Sequence, residues 1–271
     1  GGYGFFELAL ILEQVGRAVA PLPVLSTLVL GALPLAEFGS TDQQAAWLPG
    51  VIDGSVILTA ALSEGRDGLP PEVPATTATA SASGDGWTIS GTKQLVPGAV
   101  HADRVLVPAR TGDGTSTVFL VDPAAAGVTL EVNRGPNLEP LTTMSFDGVA
   151  VGAGDVVGDA DGGAAITAWI TDRAVAAYCA VTAGVCEAAL RTTATYTSER
   201  KQFDTPIATF QAVAHRAADA YIDTEAVRLT AYQAAWRLGE GLPAAEELAI
   251  AKSWAADGAH RVVHAAQHLH G

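Results

Sequence analysis

The 271-residue chain is 49% apolar and carries 15 Lys and Arg against 29 Asp and Glu, a formal net charge of −14 with a pI near 4.7. That apolar share is enough for a packed core in one or two domains. A surface so acidic repels phosphate backbones and anionic headgroups, which excludes nucleic-acid and membrane-surface binding as leading functions.

Residues 1–55 read as an N-terminal helical region. Phe6, Leu8, Ile11, Leu12, Val15 and Val19 form one broad apolar face, with Glu7, Glu13, Gln14 and Arg17 elsewhere, and Pro21 and Pro23 stop the helix. The apolar stretch Val24–Leu35 is too short to span a bilayer and contains Gly31 and Pro34. Ser40-Thr41-Asp42-Gln43 offers an N-cap for a short helix carrying Trp47, closed by Pro49-Gly50.

Over residues 56–158 the period changes from 3.6 to 2. Trp87 and Ile89 alternate with polar residues after the Gly84-Asp85-Gly86 turn. Val105–Val107, Val118–Val121 and Val128–Val132 are short β-branched runs, and clusters such as Gly112-Asp113-Gly114 separate them. Five or so short strands without intervening helical periodicity predict an antiparallel sandwich or barrel.

Over residues 159–271 the helical period returns. One helix is predicted from about Ala164 to Arg200. A second runs from about Ile207 to Gly239, with Phe210, Ala214, Ala217, Tyr221 and Leu229 on its apolar side, and a third follows Pro243 to at least His268. Long helices joined by short loops predict an antiparallel bundle, making the fold class α+β in the order helices, antiparallel β domain, helical bundle. The only cysteines, Cys179 and Cys186, fall on one helix with Cα atoms about 10 Å apart, too far for a disulfide. Two buried thiols and no signal sequence point to a reducing cytoplasm.

The segment Ser198-Glu199-Arg200-Lys201-Gln202-Phe203-Asp204-Thr205-Pro206-Ile207, followed by Phe210-Gln211-Ala212-Val213 and Asp219, resembles the most characteristic stretch of the acyl-CoA dehydrogenase family: Arg-x-x-Phe-Gly-x-x-Ile, then a glutamine helix. His268-Leu269-His270-Gly271 is similar to the start of that family's Gln-x-His-Gly-Gly motif, and the resemblance covers essentially all of the chain. It implies FAD as cofactor, bound at a subunit interface, with Arg200, Gln202, Phe203, Ile207, Gln211, His268 and Gly271 reaching a flavin held mainly by the neighbouring subunit. The residue chemistry agrees: Arg200 supplies a planar, permanently charged fork for pyrophosphate oxygens, Phe203 packs beside an adenine or flavin ring, and Ile207 and Gln211 follow at one-turn spacing on the next helix. Without the resemblance, Arg200 reads as a helix-end charge and Phe203 as a core residue.

The second flavin signature of the family lies in the β domain and departs here. Leu62-Ser63-Glu64-Gly65 stands for Leu-Thr-Glu-Pro, and the following Arg66-Asp67-Gly68-Leu69-Pro70-Pro71 does not reproduce Gly-Ser-Asp. Lys93-Gln94-Leu95-Val96-Pro97 stands for Lys-x-[Trp/Tyr]-Ile-[Thr/Ser], so leucine replaces the ring-shielding aromatic and proline replaces a hydroxyl residue and removes an N–H. The half that cradles the ring is eroded; the half that reaches across is kept.

The family's chemistry removes an α-proton from an acyl thioester while hydride passes to the flavin, which requires a carboxylate base. Some members carry it 26 residues before the motif arginine, where this chain has Ala174. Asp172 is the nearby carboxylate, a weak candidate because two residues turn it about 200° around the helix; a first-turn acid favoured by the helix dipole is the plainer expectation. The other family position lies beyond Gly271. His260, His264 and His268 fall on one helical stripe without a carboxylate companion, so no metal site is expected.

These features resemble most the base-lacking subunit of the α2β2 heterotetrameric dehydrogenases that degrade steroid side-chain CoA thioesters in actinobacteria. That implies a homologous subunit as partner, with the acyl-CoA bound mainly by it. Gln202-Phe203-Asp204, Tyr221-Ile222-Asp223 and Ala234-Ala235-Trp236-Arg237 carry the likeness. The alternatives are a homomeric acyl-CoA dehydrogenase with its base beyond residue 271, and a non-enzymatic DNA-associated stress protein on the same fold, against which the net charge of −14 argues.

Overall fold

A computed structural model describes residues 3–65, 70–71, 73–81, 84–135 and 137–271, so Arg66-Asp67-Gly68-Leu69 lies outside the described residues. The chain forms two compact units, one from Gly1–Leu22 with Asp172–Gly271, the other from Pro23–Thr171.

In the helical unit, α1 (Phe5–Ala18) ends where Val19 turns left-handed at φ 46° and the N–H groups of Val19 and Ala20 close onto Gly16 O and Val15 O. Its buried stripe is Phe5, Ala9, Leu12, Glu13 and Gly16, whereas the expected face members Ile11 and Val19 are exposed. The correction has a steric origin. A Cβ built on Gly16 would overlap Val181 O, and one built on Gly184 would overlap Glu13 O. The helices approach backbone to backbone at those two glycines, which admit no side chain, while Phe5 and Leu12 are buried elsewhere on the same face.

α4 (Gly163–Glu199) matches the predicted span; α5 (Gln211–Gly239) starts four residues after the predicted Ile207, which lies instead in a 3₁₀ turn, Ile207–Thr209. The third predicted helix is two, α6 (Ala245–Ser253) and α7 (Ala259–His270), joined by a π-helical turn at Trp254–Gly258. By length and composition α4 meets the criteria of a membrane span, yet its Ala176, Ala177, Ala180, Ala183 and Cys186 are buried in protein. Burial pushes the thiols of Cys179 and Cys186 up to about 11.

The predicted apolar side of α5 is the wrong one. Phe210, Ala214, Tyr221 and Leu229 are exposed, and the buried stripe is Ala220, Thr224, Val227, Ala231, Ala234, Ala235 and Leu238. Large apolar side chains dominate a hydropathy pattern, but the close-packed seam selects small ones. α5 therefore carries two stripes, and the bulkier has no cover within its unit.

One charged knot links three helices. Arg228 of α5 pairs with Glu13 of α1 (2.8 Å), Glu187 of α4 (2.5 Å) and Glu225, and the Tyr232 hydroxyl donates to Glu13. Glu13 is almost fully buried.

In the second unit, a π-helical stretch, Leu25–Ala32, leads into α2 (Leu33–Phe38). α3 (Thr41–Asp53) has the predicted N-cap, and the structure makes it reciprocal, Ser40 Oγ accepting from Gln43 N (3.2 Å) and Gln43 Oε1 from Ser40 N (3.0 Å). Pro49 does not end it. Proline keeps a helix-compatible φ and forfeits one hydrogen bond, and termination waits for left-handed Gly54.

The β domain is one sheet in the order β6-β7-β3-β2-β4-β5-β8, comprising β2 (Thr77–Ala80), β3 (Gly86–Pro97), β4 (Arg104–Arg110), β5 (Ser116–Val121), β6 (Val128–Arg134), β7 (Pro140–Gly152) and β8 (Val156–Val157). β1 (Leu58–Ala60) joins β4 in parallel and β2 bridges β4 in parallel, departures from the antiparallel expectation. The longest strand, β7, escaped the sequence pattern. Its buried positions run Thr142, Met144, Phe146, then shift phase across Asp147 and left-handed Gly148 to Val149 and Val151. A buried threonine and a phase slip hide a period of two. Ile89, Val105, Val107, Phe119, Val121, Met144 and Val149 form the core.

Candidate functional site

The recognisable motif occupies one end of the helical unit. α4 stops at Glu199, Arg200 N closes onto Tyr196 O (2.8 Å), and the chain reverses through β9 (Lys201–Gln202) and β10 (Thr205–Pro206). Gln202 pairs with Thr205, so Phe203 and Asp204 are the two central turn residues, with φ 52° and 63°. Two consecutive positive φ values define a type I′ turn, for which glycine and asparagine are the usual residues. An aromatic residue held left-handed costs about 1–2 kcal/mol. The frame is closed by Thr205 Oγ1 on Phe203 O (3.1 Å) and Ile207 N on Arg200 O (2.8 Å).

This hairpin buries almost nothing it carries. Phe203 is 90% exposed, touching Phe210 edge-on at 6.4 Å, which corrects its reading as a core residue. Arg200, Lys201, Gln202, Asp204 and Gln211 are exposed, and Ile207 is half-buried. Among the described residues Arg200 has no carboxylate partner, unlike Arg104, Arg191, Arg228, Arg237 and Arg261. A strained aromatic and an unpaired guanidinium, both preorganised and both in solvent, are what a ligand-binding tip requires.

The end of α7 comes to the same place. The His270 ring stacks on Tyr196 at 4.4 Å, and the Tyr196 hydroxyl donates to His270 O (3.4 Å). Tyr196 lies one turn before Arg200, so the last turn of α7 lies beside the end of α4 that leads into the hairpin. Tyr196 was missed in the sequence; its position four residues before the motif arginine was the available signal. His260, His264 and His268 stack along α7, with centroids 6.3 and 4.9 Å apart. Among the described residues no three potential ligands are grouped to hold a metal ion.

Asp172 is exposed and Ala174 buried, as opposite sides of α4 demand. It sits about two and a half turns into the helix, which corrects the first-turn expectation. Partial burial raises the Asp172 pKa, opposed by the Arg173 charge.

In the β domain the two altered motif halves are locked together. Lys93 is 0% exposed and its ammonium meets Glu64 at 2.7 Å, while Glu64 also accepts from Ala75 N (2.5 Å) and Thr76 N (3.0 Å), and Gln94 N donates to Ser63 O (2.8 Å). Burial lowers the Lys93 pKa, and Glu64 opposes that shift. The register slips between Lys93 and Val96, leaving Leu95 left-handed at φ 55° and partly exposed. The frame persists; what it presents is a leucine where the family has a ring.

Three family matches fall on this chain: the acyl-CoA dehydrogenase N-terminal domain over residues 1–55, the middle domain over 59–149 and the C-terminal domain over 161–271. The chain belongs to the acyl-CoA dehydrogenase family. It is similar to the acyl-CoA dehydrogenase FadE27 of Mycobacterium tuberculosis, 37% identical over 278 residues, covering 100% of this chain and 71% of that one. Among solved structures it is similar to the ChsE4-ChsE5 complex from Mycobacterium tuberculosis (37% identity, TM-score 0.90, 100% of this chain and 71% of that one). It is also similar to the Tcur3481-Tcur3483 steroid ACAD (40% identity, TM-score 0.87, 99% and 70%). Acyl-CoA dehydrogenases are FAD-dependent oxidoreductases. The donor set at the hairpin fits that cofactor: an unpaired cation for the pyrophosphate, an exposed aromatic face for a ring, and amide and imidazole groups at Gln202, Gln211 and His268.

Proposed function

We propose that this chain is the base-lacking subunit of a heteromeric α2β2 acyl-CoA dehydrogenase that oxidises a steroid side-chain CoA thioester. The observation that carries it is the contrast between the two halves of the site. The Arg200–Asp204 hairpin is preorganised and exposed without an occupant in its own unit, while Leu95 and Pro97 replace the ring-cradling residues and Ala174 fills a base position. The uncovered stripe of Phe210, Tyr221, Leu229 and Trp236 on α5 supports a homologous partner seated on that face. The likeness to two-subunit dehydrogenase complexes supports the same arrangement.

A bound FAD would supply the hydride acceptor for dehydrogenation of the thioester. Arg200 would hold its pyrophosphate by charge-assisted hydrogen bonds, and Phe203 would pack against a ring from this chain's side of the interface. His268 and Gly271, flanking the Tyr196–His270 stack, would meet the adenine–ribose part. The base comes from the partner, and a cytoplasmic location suits two free buried thiols.

Flavin counting tests this. Purified alone, the chain should bind little FAD and oxidise no acyl-CoA; co-purified with the homologous subunit, the complex should hold about one FAD per two chains. A yellow, active and fully flavinylated single subunit would sink the proposal in favour of the homomeric alternative.

Asp172→Asn in the assembled enzyme should leave turnover within a few-fold of the parent, because an exposed carboxylate on the opposite helix side from Ala174 does not face the position of the base. A true base is worth about 10²–10⁴-fold. Steady-state reduction of an artificial acceptor at matched flavin content is the measurement, and a thousand-fold fall would make Asp172 the base.

A further inference from the structure

Asp204 occupies the second left-handed position of the hairpin turn, where the family pattern has glycine. Glycine would take φ 63° without strain, so the turn itself gives no reason for a carboxylate. Nor does the local packing. The carboxylate is exposed and has no hydrogen-bond or ion-pair partner among the described residues, and the turn is closed instead by Thr205 Oγ1 on Phe203 O. The aspartate is held still and pointed at nothing in its own unit.

What surrounds it narrows the ligand chemistry. Within five residues the hairpin presents an unpaired guanidinium, a strained aromatic ring that is 90% exposed, and this carboxylate. Each suits a different part of one molecule. The guanidinium matches pyrophosphate oxygens and the ring matches a purine face. An acceptor-only group with two oxygens matches a vicinal diol, which offers two O–H donors. An acidic residue on ribose hydroxyls is a general solution in dinucleotide sites. Arg200 and Lys201 offset its charge toward the phosphates.

Resting on the proposed FAD role of Arg200 and Phe203, we propose that Asp204 is a further ligand-contacting residue, its carboxylate accepting the ribose hydroxyls of the adenosine diphosphate half of the cofactor. Glycine at this position offers those hydroxyls no side-chain acceptor, so the aspartate adds recognition at the nucleotide end where the ring-cradling end is altered.

The test uses the complex with its homologous subunit, stripped of flavin. FAD is titrated by fluorescence, and ADP and 2′,3′-dideoxyadenosine diphosphate compete for the site. The parent should prefer ADP to the dideoxy compound by about tenfold. Asp204→Gly and Asp204→Asn should both lose most of that preference and weaken FAD to a similar extent. Asparagine tolerates the left-handed turn without the charge, so an Asp204→Asn complex that kept the parent's preference would assign the residue to turn geometry and overturn the proposal. So would an Asp204→Gly complex binding FAD as tightly as the parent with the preference intact. A parent complex that binds neither FAD nor ADP would instead bring down the proposed function, and this inference with it.

Discussion

Replacing Arg228 with methionine will destabilise the protein by about 3–5 kcal/mol, the range for removing one partner from a buried charge cluster. Arg228 reaches Glu13, Glu187 and Glu225 at once, and Tyr232 adds a donor to Glu13. Methionine keeps the volume and helix propensity but leaves Glu13 and Glu225 without a cation and Glu187 with Arg191 alone, and Glu13 lies almost wholly out of water. Because those carboxylates come from α1, α4 and α5, the damage should be global rather than a local fraying. Urea unfolding followed by tryptophan fluorescence measures it, and a loss under about 1 kcal/mol would mean that water enters the cluster freely. The pH dependence has a definite sign. Burial raises the Glu187 pKa, but the Arg191 hydrogen bond with the Arg228, Arg191 and Arg17 charges outweighs it and the net value lies below the ordinary 4.5. A depressed carboxylate contributes stability that is present above its unfolded value and lost as the pH falls through the folded one. The parent should therefore lose this stability in acid below about 4.5, and Arg228→Met should show less of that loss.

The sequence made the order of elements legible because period and punctuation survive without tertiary context. The Ser40 N-cap, the extent of α4 and the β-branched strands β4, β5 and β6 were all visible in residue chemistry. It failed where packing selects by size rather than by hydropathy. On α1 the backbone contact with α4 falls at Gly16, and on α5 the inward stripe is mostly alanine, while Ile11, Tyr221 and Leu229 point outward. The exposure of Tyr221 and Leu229 therefore departs from the hydropathy pattern and leaves a bulky apolar stripe in solvent, the feature on which the proposed partner rests. Pro49 and Gly148 show the opposite limit, since a helix absorbs one proline and a strand absorbs a phase shift when neighbours fix the rest.

At the candidate site, motif spacing located Arg200 and Phe203, but only the backbone explains them. The Phe-Asp pair is a type I′ tip, so family glycine and present aspartate answer the same conformational demand at different cost. The altered β-domain half is likewise not a collapsed one. Lys93 and Glu64 keep an expensive buried pair in place, and such pairs add little stability over apolar packing. The frame is retained while the residues it presents have changed.

Arg200→Ala will strip flavin from the assembled complex without unfolding it. The guanidinium is exposed and has no carboxylate partner among the described residues, so its removal strands nothing and leaves the Tyr196, Gln202–Thr205 and Ile207 hydrogen bonds of the hairpin in place. Surface substitutions of that kind stay within about 0.5 kcal/mol in stability. Ligand affinity is another matter. A charge-assisted hydrogen bond to a pyrophosphate contributes about 1.5–3 kcal/mol, so its loss should weaken FAD roughly ten- to a hundred-fold. Arg200→Lys should recover only part of this, because an ammonium keeps the charge but not the planar fork. Flavin fluorescence on titrating the stripped complex gives the affinity, and a thermal melt of the flavin-free complex gives the fold. If FAD binds the Arg200→Ala complex as tightly as the parent, the arginine is a helix-end charge after α4 and the hairpin does not reach the cofactor. If affinity falls while the melt is unchanged, the strain at Phe203 and the exposure of the whole tip have their explanation in the neighbouring subunit's flavin.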